Sequence, residues 1–449
     1  MILLNRHCYL VLAAACIGLV AGCSSARDAP AKTDHTAAAV AFVQNMADGK
    51  FTEAVAPFDA AMTQAMSADR LKQTWQATLA QYGAFKKMGT TRTAREGGFD
   101  EVFVPLEFAN TTLDCKVVFD ADGKIGGLWF VPHVDAAASQ YSPPAYADSS
   151  RFTESEVTVG DGEWKLPGTL AMPKGAGPFP ALVLVHGSGP NDRDESIGAN
   201  KPFKDLALGL ASKGIAVLRY DKRTKVYHDK LIGANPKHFT VKQETIDDAV
   251  AAVDLLQRTE KIDPKRVFVL GHSLGGMLVP RIAKADPKIA GLISMAGATL
   301  PLEDAMLDQI TYIASLKGSL SEADKKQIDD LKAEIAKVKD VTPDSPSLLG
   351  VPASYWIDLR DYHPAEAAKS VKQPLFIIQG GRDYQVTTAG YDIWVKALSG
   401  KPNVTFKLYP SLNHLFMEGK GKSVPDEYTK RGPIPQYVID DLATWIKAH

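Results

Sequence analysis

The segment at residues 267–276 constrains the fold of this chain more than any other stretch. Four apolar residues run directly into Gly-His-Ser-Leu-Gly at 271–275, and an amphipathic helical pattern follows. The pattern predicts a strand, a sharp turn and a helix, with Ser273 at the turn between glycines whose missing Cβ atoms allow close approach. Ser273 is therefore a candidate nucleophile. The N–H of Leu274, at the start of the helix, is a candidate donor to a developing oxyanion.

Strand and helix patterns alternate on both sides of this segment, from residue 151 to residue 449. Such alternation predicts βαβ units and a mainly parallel sheet. The segment between residues 299 and 370 interrupts the alternation with helical patterns, and we expect it to form a lid near the carboxyl ends of the strands. The predicted strands are Ala181–Val185, Ile215–Tyr220, Arg266–Leu270, Ile289–Met295, Leu375–Gln379 and Val404–Tyr409, the predicted helices include Phe203–Lys213 and Glu244–Thr259, and Glu154–Val159 and Trp164–Met172 form a predicted strand pair.

Residues 36–133 form a separate predicted unit in which helices come first and strands follow. That order is typical of a small α+β domain, and the Pro- and Ala-rich residues 134–150 predict a linker. Asp114 and His133 are isolated in this unit, and we expect them to be surface or loop residues without a catalytic role. The predicted helices are Thr36–Asp48, Phe51–Met66 and Ala68–Tyr82, and the predicted strands are Lys86–Arg95, Phe99–Glu107, Leu113–Asp120 and Ile125–Val131.

Residues 1–23 have the composition of a secretory signal, with a short polar start and an apolar run too short for a comfortable membrane span. Val-Ala-Gly-Cys at 20–23 resembles a bacterial lipobox, which implies cleavage before Cys23 and lipidation of that residue; an ordinary signal peptide is the alternative. Residues 24–35 then form a tether, and Ser24 implies the outer membrane, facing the periplasm. Of the 4 cysteines, only Cys115 remains after these assignments, and we expect a core residue.

Charge and motif spacing exclude several classes of function. The formal net charge is −1, with 51 basic and 52 acidic residues, so no global field attracts nucleic acid. No His/Cys/Asp cluster has metal-ligand spacing, and no glycine-rich loop matches a dinucleotide or phosphate fingerprint. We therefore expect neither a metal nor a cofactor.

A nucleophilic serine needs a base, and the base needs an acid to orient it. Asp383 follows a predicted strand in Gln-Gly-Gly-Arg-Asp, and His414 follows the next one in Asn-His. The chain order Ser273, Asp383, His414 is that of the α/β-hydrolase triad. Of the competing histidines, His228, His238 and His363 lack a paired acid at a strand end, and we expect structural roles for His186 and His272.

These motifs together resemble the α/β-hydrolase superfamily over residues 151–449. More narrowly, the segments His-Gly-Ser-Gly-Pro-Asn-Asp-Arg-Asp-Glu at 186–195 and Arg-Tyr-Asp-Lys-Arg at 219–223 resemble bacterial exported esterases. These are similar to dienelactone hydrolases and serine aminopeptidase-like members, and often carry a small N-terminal NTF2- or cystatin-like domain. Related sequences tend to have Gly where this chain has Thr224, which leaves substrate preference open.

The resemblance implies an α/β-hydrolase fold with a helical lid and a role for each candidate residue. Ser273 would attack an acyl carbonyl, His414 would transfer the proton, and Asp383 would hold the histidine tautomer. Leu274 and Ser188 would supply the oxyanion-hole N–H groups.

Hydrolysis of a small-molecule carboxylic ester is the reaction that the sequence favours, at a membrane reached through the lipid anchor. A serine aminopeptidase-like peptidase and a thioesterase remain open as alternatives. The peptidase would need acidic residues for the substrate amine, for which Asp358 and Asp361 are candidates. A non-enzymatic alternative is an envelope binding lipoprotein with an inactive hydrolase fold.

Overall fold

A computed structural model describes residues 34–96, 99–133, 141–233, 239–316, 318–320 and 322–449. Within these residues the chain forms two compact units, and the second begins at Tyr141. The predicted signal, the lipidation site Cys23 and most of the predicted tether lie outside the described residues. None of the helices in the described part of the chain is both long and apolar enough to cross a membrane.

The first unit is a five-stranded antiparallel sheet with helices that precede it in the chain. Strands β1 and β2 both pair with β3, and the order continues through β4 to β5, so the predicted α+β domain is confirmed. The helices are α1 (Thr36–Ala47), α2 (Phe51–Val55), α3 (Ala60–Ala65) and α4 (Ala68–Tyr82), and the strands are β1 (Phe85–Met88), β2 (Arg92–Glu96), β3 (Phe99–Phe108), β4 (Thr112–Phe119) and β5 (Ile125–Pro132).

Two elements of this unit differ from the prediction because of proline. The single helix expected over Phe51–Met66 is two helices, α2 and α3, and Pro57, which has no N–H to donate, lies between them. The single strand expected over Lys86–Arg95 is β1 and β2. The break lies opposite Pro105 of β3, which likewise has no N–H for the ladder.

The second unit is built on an eight-stranded sheet in the order β13-β12-β11-β10-β8-β9-β7-β6. Neighbours from β13 to β9 are parallel, whereas β7 and β6 run antiparallel at one edge. The predicted mainly parallel sheet, with its strand pair, is confirmed. The strands are β6 (Phe152–Val159), β7 (Leu166–Pro173), β8 (Phe179–Val185), β9 (Ala216–Tyr220), β10 (Ile262–His272), β11 (Gly291–Met295), β12 (Leu375–Gly380) and β13 (Val404–Tyr409).

Helices cover both faces of this sheet. Alternate side chains of one strand point to opposite faces, and Val183 belongs to one apolar cluster while Leu182 belongs to the other. The central strands are therefore buried on both sides, which explains their continuous apolar sequences. The helices are α5 (Pro202–Ser212), α6 (Arg223–Val226), α7 (His228–Gly233), α8 (Asp247–Gln257), α9 (Leu274–Ala285), α10 (Leu302–Ser315), α11 (Glu322–Val338), α12 (Ala353–Leu359), α13 (Pro364–Ala367), α14 (Thr388–Leu398) and α15 (Gln436–Ala448).

The segment predicted as a lid lies between β11 and β12 and contains helices α10 to α13. Helix α12 packs into the core through Trp356, and α10 meets the loop after β12 through a stack of Tyr312 on Tyr384, with ring centroids 5.1 Å apart. Its role as a lid stays a prediction. The second half of the predicted linker packs on this unit, since the Tyr146 hydroxyl donates to the Ile434 carbonyl over 2.8 Å.

Candidate active site

Ser273 lies at the sharp turn that joins β10 to α9. Its φ of 53° is in the left-handed region, which costs a non-glycine residue energy and is common at functional turns. A Cβ on Gly271 would lie 2.2 Å from the carbonyl oxygen of Gly275, and a Cβ on Gly275 would lie 2.4 Å from that of Val185. Both glycines are therefore required by packing, for the steric reason that the sequence suggested.

Asp383 and His414 lie side by side, each in the loop that follows a parallel strand. The Asp383 Oδ2 and His414 Nδ1 atoms are 2.7 Å apart, and the aspartate side chain is fully buried. Its Oδ1 accepts the backbone N–H groups of Gln385 and Val386 over 2.8 and 2.9 Å. Gln379 donates to Oδ2 over 3.1 Å, a contact that the sequence did not predict. The carboxylate is thus fixed in one orientation.

The turn at Ser273 and the His414 loop are joined through His272. Its Nε2 is 3.0 Å from the His414 carbonyl oxygen, and the two imidazole rings are 4.6 Å apart. The fold therefore brings the three predicted triad residues to one edge of the sheet. Among the hydrogen bonds of the described residues, Ser273 and His414 share none.

The loop after β8 faces the serine across a narrow gap. A Cβ on Gly187 would lie 3.1 Å from the Ser273 Cβ, so only glycine fits here without displacement. The Gly187 N–H donates to Glu195 Oε1 over 2.7 Å. The N–H groups of Ser188 and Leu274, the predicted oxyanion donors, donate to no other described residue. Leu274 is the first residue of α9, whose N–H has no intrahelical acceptor.

Glu195 forms a buried ion pair with His272, which the sequence did not predict. The Glu195 Oε2 and His272 Nδ1 atoms are 2.9 Å apart, although the ring N–H is not aligned for a hydrogen bond. Burial lowers the pKa of His272, but the combined effect of the Glu195 carboxylate and the His414 carbonyl outweighs burial and raises this pKa above its usual value. Burial raises the pKa of Glu195, but the combined effect of His272, His186 and the Gly187 N–H outweighs burial and lowers this pKa. Both groups therefore favour their charged forms.

Lys222 and Thr224 bind the same loop from the other side. The Lys222 ammonium, 2% exposed, donates to the Gly187 carbonyl oxygen over 2.7 Å and to Glu244 over 2.6 Å. Thr224 donates to the Gly189 carbonyl oxygen over 3.2 Å. The residue that departs from the family pattern thus binds this loop directly, through a hydroxyl that glycine lacks.

The remaining histidines occupy other environments. His186 is buried and donates through Nε2 to the Asp192 carbonyl over 3.0 Å; burial lowers its pKa to about 4, which keeps the ring neutral. His228 is exposed at the start of α7, and His363 is exposed before α13. His238 lies outside the described residues.

Asp358 and Asp361, the candidate residues for binding a peptide amine, do not form an acidic site together. Asp358 accepts from Arg281 over 2.9 Å, which neutralises its charge. Asp361 is exposed and has a φ of 59°. Across the described ranges, no group of three or more His, Cys, Asp or Glu side chains could hold a metal ion.

Three residues of the first unit were singled out from the sequence. Cys115 is fully buried, which confirms the predicted core position, and burial raises the pKa of its thiol. The prediction that Asp114 and His133 are isolated is wrong, and Asp114 is not a surface residue, whereas His133 does lie in a loop. Asp114 is 1% exposed on β4, and its Oδ1 lies 2.7 Å from His133 Nδ1, because β5, which precedes His133, pairs with β4.

A cavity of about 510 Å³ lies between α10 and the loop that carries Asp383. Its lining includes Asp308, Tyr312, Asp383 and Tyr384, but not Ser273. The cavity therefore does not itself define a substrate site at the serine.

Comparison with known proteins gives matches to both units. The family described as "Serine aminopeptidase, S33" matches residues 178–420, and a family described as a protein of unknown function (DUF3887) matches residues 39–128. The chain is 42% identical to Esterase EstD of Thermotoga maritima over 405 residues, which cover 90% of this chain and 93% of that protein. It is 29% identical to 2,6-dihydropseudooxynicotine hydrolase of Paenarthrobacter nicotinovorans, over 40% of this chain and 42% of that protein.

Among solved structures, the chain is similar to Est1E from Butyrivibrio proteoclasticus. The identity is 16% and the TM-score is 0.42, over 66% of this chain and 99% of that one.

Proposed function

The chain belongs to the serine aminopeptidase family of α/β-hydrolases, and from that membership we propose that it hydrolyses carboxylic esters through an acyl-serine intermediate. The observation that carries the proposal is the buried Asp383–His414 pair, 2.7 Å apart and tied through His272 to the strained turn at Ser273. A serine in such a turn, with a histidine oriented by an aspartate beside it, is equipped for nucleophilic acyl transfer.

In the proposed reaction the Ser273 hydroxyl oxygen attacks the ester carbonyl carbon while His414 Nε2 takes the hydroxyl proton. Collapse of the tetrahedral intermediate breaks the bond to the leaving alcohol, and His414 returns the proton to that oxygen. Water then attacks the acyl-serine with the same proton transfers, which releases the acid and regenerates Ser273. Asp383 keeps the histidine proton on Nδ1, so that Nε2 is free to accept.

The proposed oxyanion donors are the N–H groups of Ser188 and Leu274. Their support is that neither N–H has another acceptor among the described residues, whereas the N–H of Gly187 is occupied by Glu195. One such donor typically contributes about 3 kcal/mol to the transition state.

An ester is the substrate class that the observations favour over a peptide. The relative that matches over most of both chains is named an esterase. The Arg281 partner of Asp358 also removes one candidate anchor for a peptide amine. A serine peptidase, a thioesterase and an inactive binding lipoprotein remain the alternatives that the experiment below separates.

The test is turnover of p-nitrophenyl esters from acetyl to long acyl by the purified protein, beside Ser273→Ala. Ser411→Ala is the matched control, because Ser411 lies in the loop that leads to His414, and among the described residues its side chain hydrogen-bonds only to the Tyr437 hydroxyl, over 3.4 Å. We expect turnover that depends on acyl length, is lost in Ser273→Ala and is kept in Ser411→Ala. Turnover of aminoacyl anilides or acyl thioesters alone would assign the corresponding alternative. Inactivity on all three panels would favour the binding lipoprotein.

We further propose that the protein acts in the cell envelope, anchored by a lipid on Cys23 at the periplasmic face of the outer membrane. The support is the sequence at 1–23, with its apolar run and its Val-Ala-Gly-Cys ending. An envelope location also fits an ester better than a CoA thioester, which is not expected outside the cytoplasm.

A further inference from the structure

The peptide group that follows Gly187 is held by more side chains than its position in a loop requires. Its carbonyl oxygen accepts from Lys222 over 2.7 Å and from Asn191 over 3.2 Å. On the other side of the same residue, the N–H of Gly187 donates to Glu195 over 2.7 Å. Gly187 is therefore bound through both of its backbone polar groups by charged, buried side chains.

This binding determines where the next N–H points. In a planar trans peptide the carbonyl of Gly187 and the N–H of Ser188 point in opposite directions. A side chain that fixes the direction of the carbonyl thus also fixes the direction of the Ser188 N–H. A charged donor on the carbonyl polarises the peptide as well, which makes its N–H a stronger donor.

Lys222 itself is held by a buried network that reaches the helical insertion. Glu244 accepts from Lys222 with one carboxylate oxygen and from the Tyr355 hydroxyl with the other, both over 2.6 Å. Glu244 lies on a turn of π-helix, Lys242–Ile246, a local irregularity that is frequent at functional sites. Tyr355 belongs to α12, so the network extends from the insertion to the loop beside Ser273.

From these contacts we propose that Lys222 is a positioning residue, which aims and polarises the Ser188 N–H toward the oxyanion, and that Glu244 and Tyr355 hold it in place. The inference rests on the proposed function, because it assigns a role within the same acyl transfer. It explains why a lysine is buried behind the loop, where a charge with only a stabilising role would gain little over an apolar residue.

The test removes the lysine without leaving a buried unpaired carboxylate. Glu244→Gln is the background variant, since its amide oxygen can still accept from Lys222, and Lys222→Met/Glu244→Gln is the test variant. The matched control is Arg223→Met/Asp248→Asn, which removes a neighbouring pair of similar burial, with 8% and 5% exposed side chains, that does not contact Gly187. All variants are normalised by active-site titration.

We expect kcat of Lys222→Met/Glu244→Gln to fall about 10- to 100-fold below that of Glu244→Gln, less than the roughly 10²–10³-fold loss of a whole donor. KM should stay within about threefold, because the N–H acts on the charge that develops in the transition state. The inhibition constant of a trifluoromethyl ketone, which forms an oxyanion on serine, should rise in proportion to the loss in kcat/KM. The Arg223 control should keep wild-type kcat within about threefold, and Glu244→Gln supplies the reference kcat for the test variant.

Two outcomes overturn the inference: a kcat of the test variant equal to that of Glu244→Gln, or an equal loss in the Arg223 control, which would indicate general loosening. Should the test variant not fold, Asn191→Ala removes the second donor to the Gly187 carbonyl from a half-buried position. It should lower kcat by about threefold or more with a parallel rise in the ketone constant; no change would refute the inference. Turnover that survives in Ser273→Ala would instead refute the proposed function.

Discussion

Replacement of Asp383 by Asn has an outcome that the surrounding hydrogen bonds determine. The Oδ1 atom accepts two backbone N–H groups, those of Gln385 and Val386, so the amide oxygen of an asparagine must take that place. The amide nitrogen then replaces Oδ2 and faces His414 Nδ1. Since this nitrogen donates, the histidine proton must move to Nε2, the atom that should accept the Ser273 proton.

The magnitude follows from the loss of the reactive tautomer. A triad with the wrong tautomer loses about 10⁴-fold in kcat, which corresponds to about 5.5 kcal/mol in the activation free energy. Stability should fall less, by about 1–3 kcal/mol, because the new amide nitrogen also faces the Gln379 amide nitrogen. Gln379 cannot turn its amide over without losing its 2.8 Å bond to the Val386 carbonyl.

The assay is steady-state hydrolysis of p-nitrophenyl butyrate with the active-site concentration titrated, together with the free energy of unfolding in urea. Asp358→Asn is the matched control, because Asp358 is a half-buried carboxylate that pairs with Arg281. We expect it to keep wild-type kcat within about threefold. A kcat of Asp383→Asn within tenfold of the wild-type kcat would refute the assignment of Asp383 as the residue that sets the histidine tautomer.

Three further perturbations test other parts of the site and the anchor. Gly187→Ala places a Cβ 3.1 Å from the Ser273 Cβ and 3.3 Å from Glu195 Oε1; we expect kcat to fall on the order of 10²-fold, and a normal kcat would show that the loop yields. The pKa of His272 is raised above 6.5 and that of Glu195 is lowered below 4.5, so their mutual stabilisation decreases as pH rises through the folded His272 pKa or falls through the folded Glu195 pKa. The deficit in unfolding free energy of Glu195→Gln should therefore shrink as the pH rises above about 6.5, whereas a constant deficit would contradict an ion pair. Cys23→Ala should abolish incorporation of labelled palmitate and release the protein from membranes, and unchanged labelling would refute lipidation there.

The elements nearest to the serine were the most predictable from sequence, because the steric constraints on them come from residues that are close in the sequence. The turn at Ser273 needs Gly271 and Gly275, and the clashes that a Cβ would meet at each are what the motif anticipates. Similarly, Asp383 and His414 were predictable because each directly follows an apolar strand, and the carboxyl ends of parallel strands meet at one edge of a sheet.

The side chains that hold these residues were not predictable in the same way. Glu195 and His272, or Lys222 and Glu244, are distant in sequence, and no period or spacing relates them. Both Glu195 and Lys222 lie in segments that the family resemblance singled out, but only the folded chain shows that they bind opposite sides of Gly187. Gln379 lies at the end of a buried strand, and no sequence pattern there indicated its hydrogen bond to Asp383.

The distribution of charge in the second unit explains how an irregular loop can be as well fixed as a strand. The loop after β8 does not continue the strand ladder, so several of its backbone groups, such as both polar groups of Gly187, depend on side chains. Asp194 in that loop pairs with Lys201 and Arg219, and Glu195 pairs with His272. Buried ion pairs add little net stability compared with apolar packing, but they strongly disfavour other arrangements once formed. Removal of one partner of such a pair should therefore lower both stability and kcat, whereas truncation of an apolar core residue such as Leu182 should lower stability with little loss of kcat.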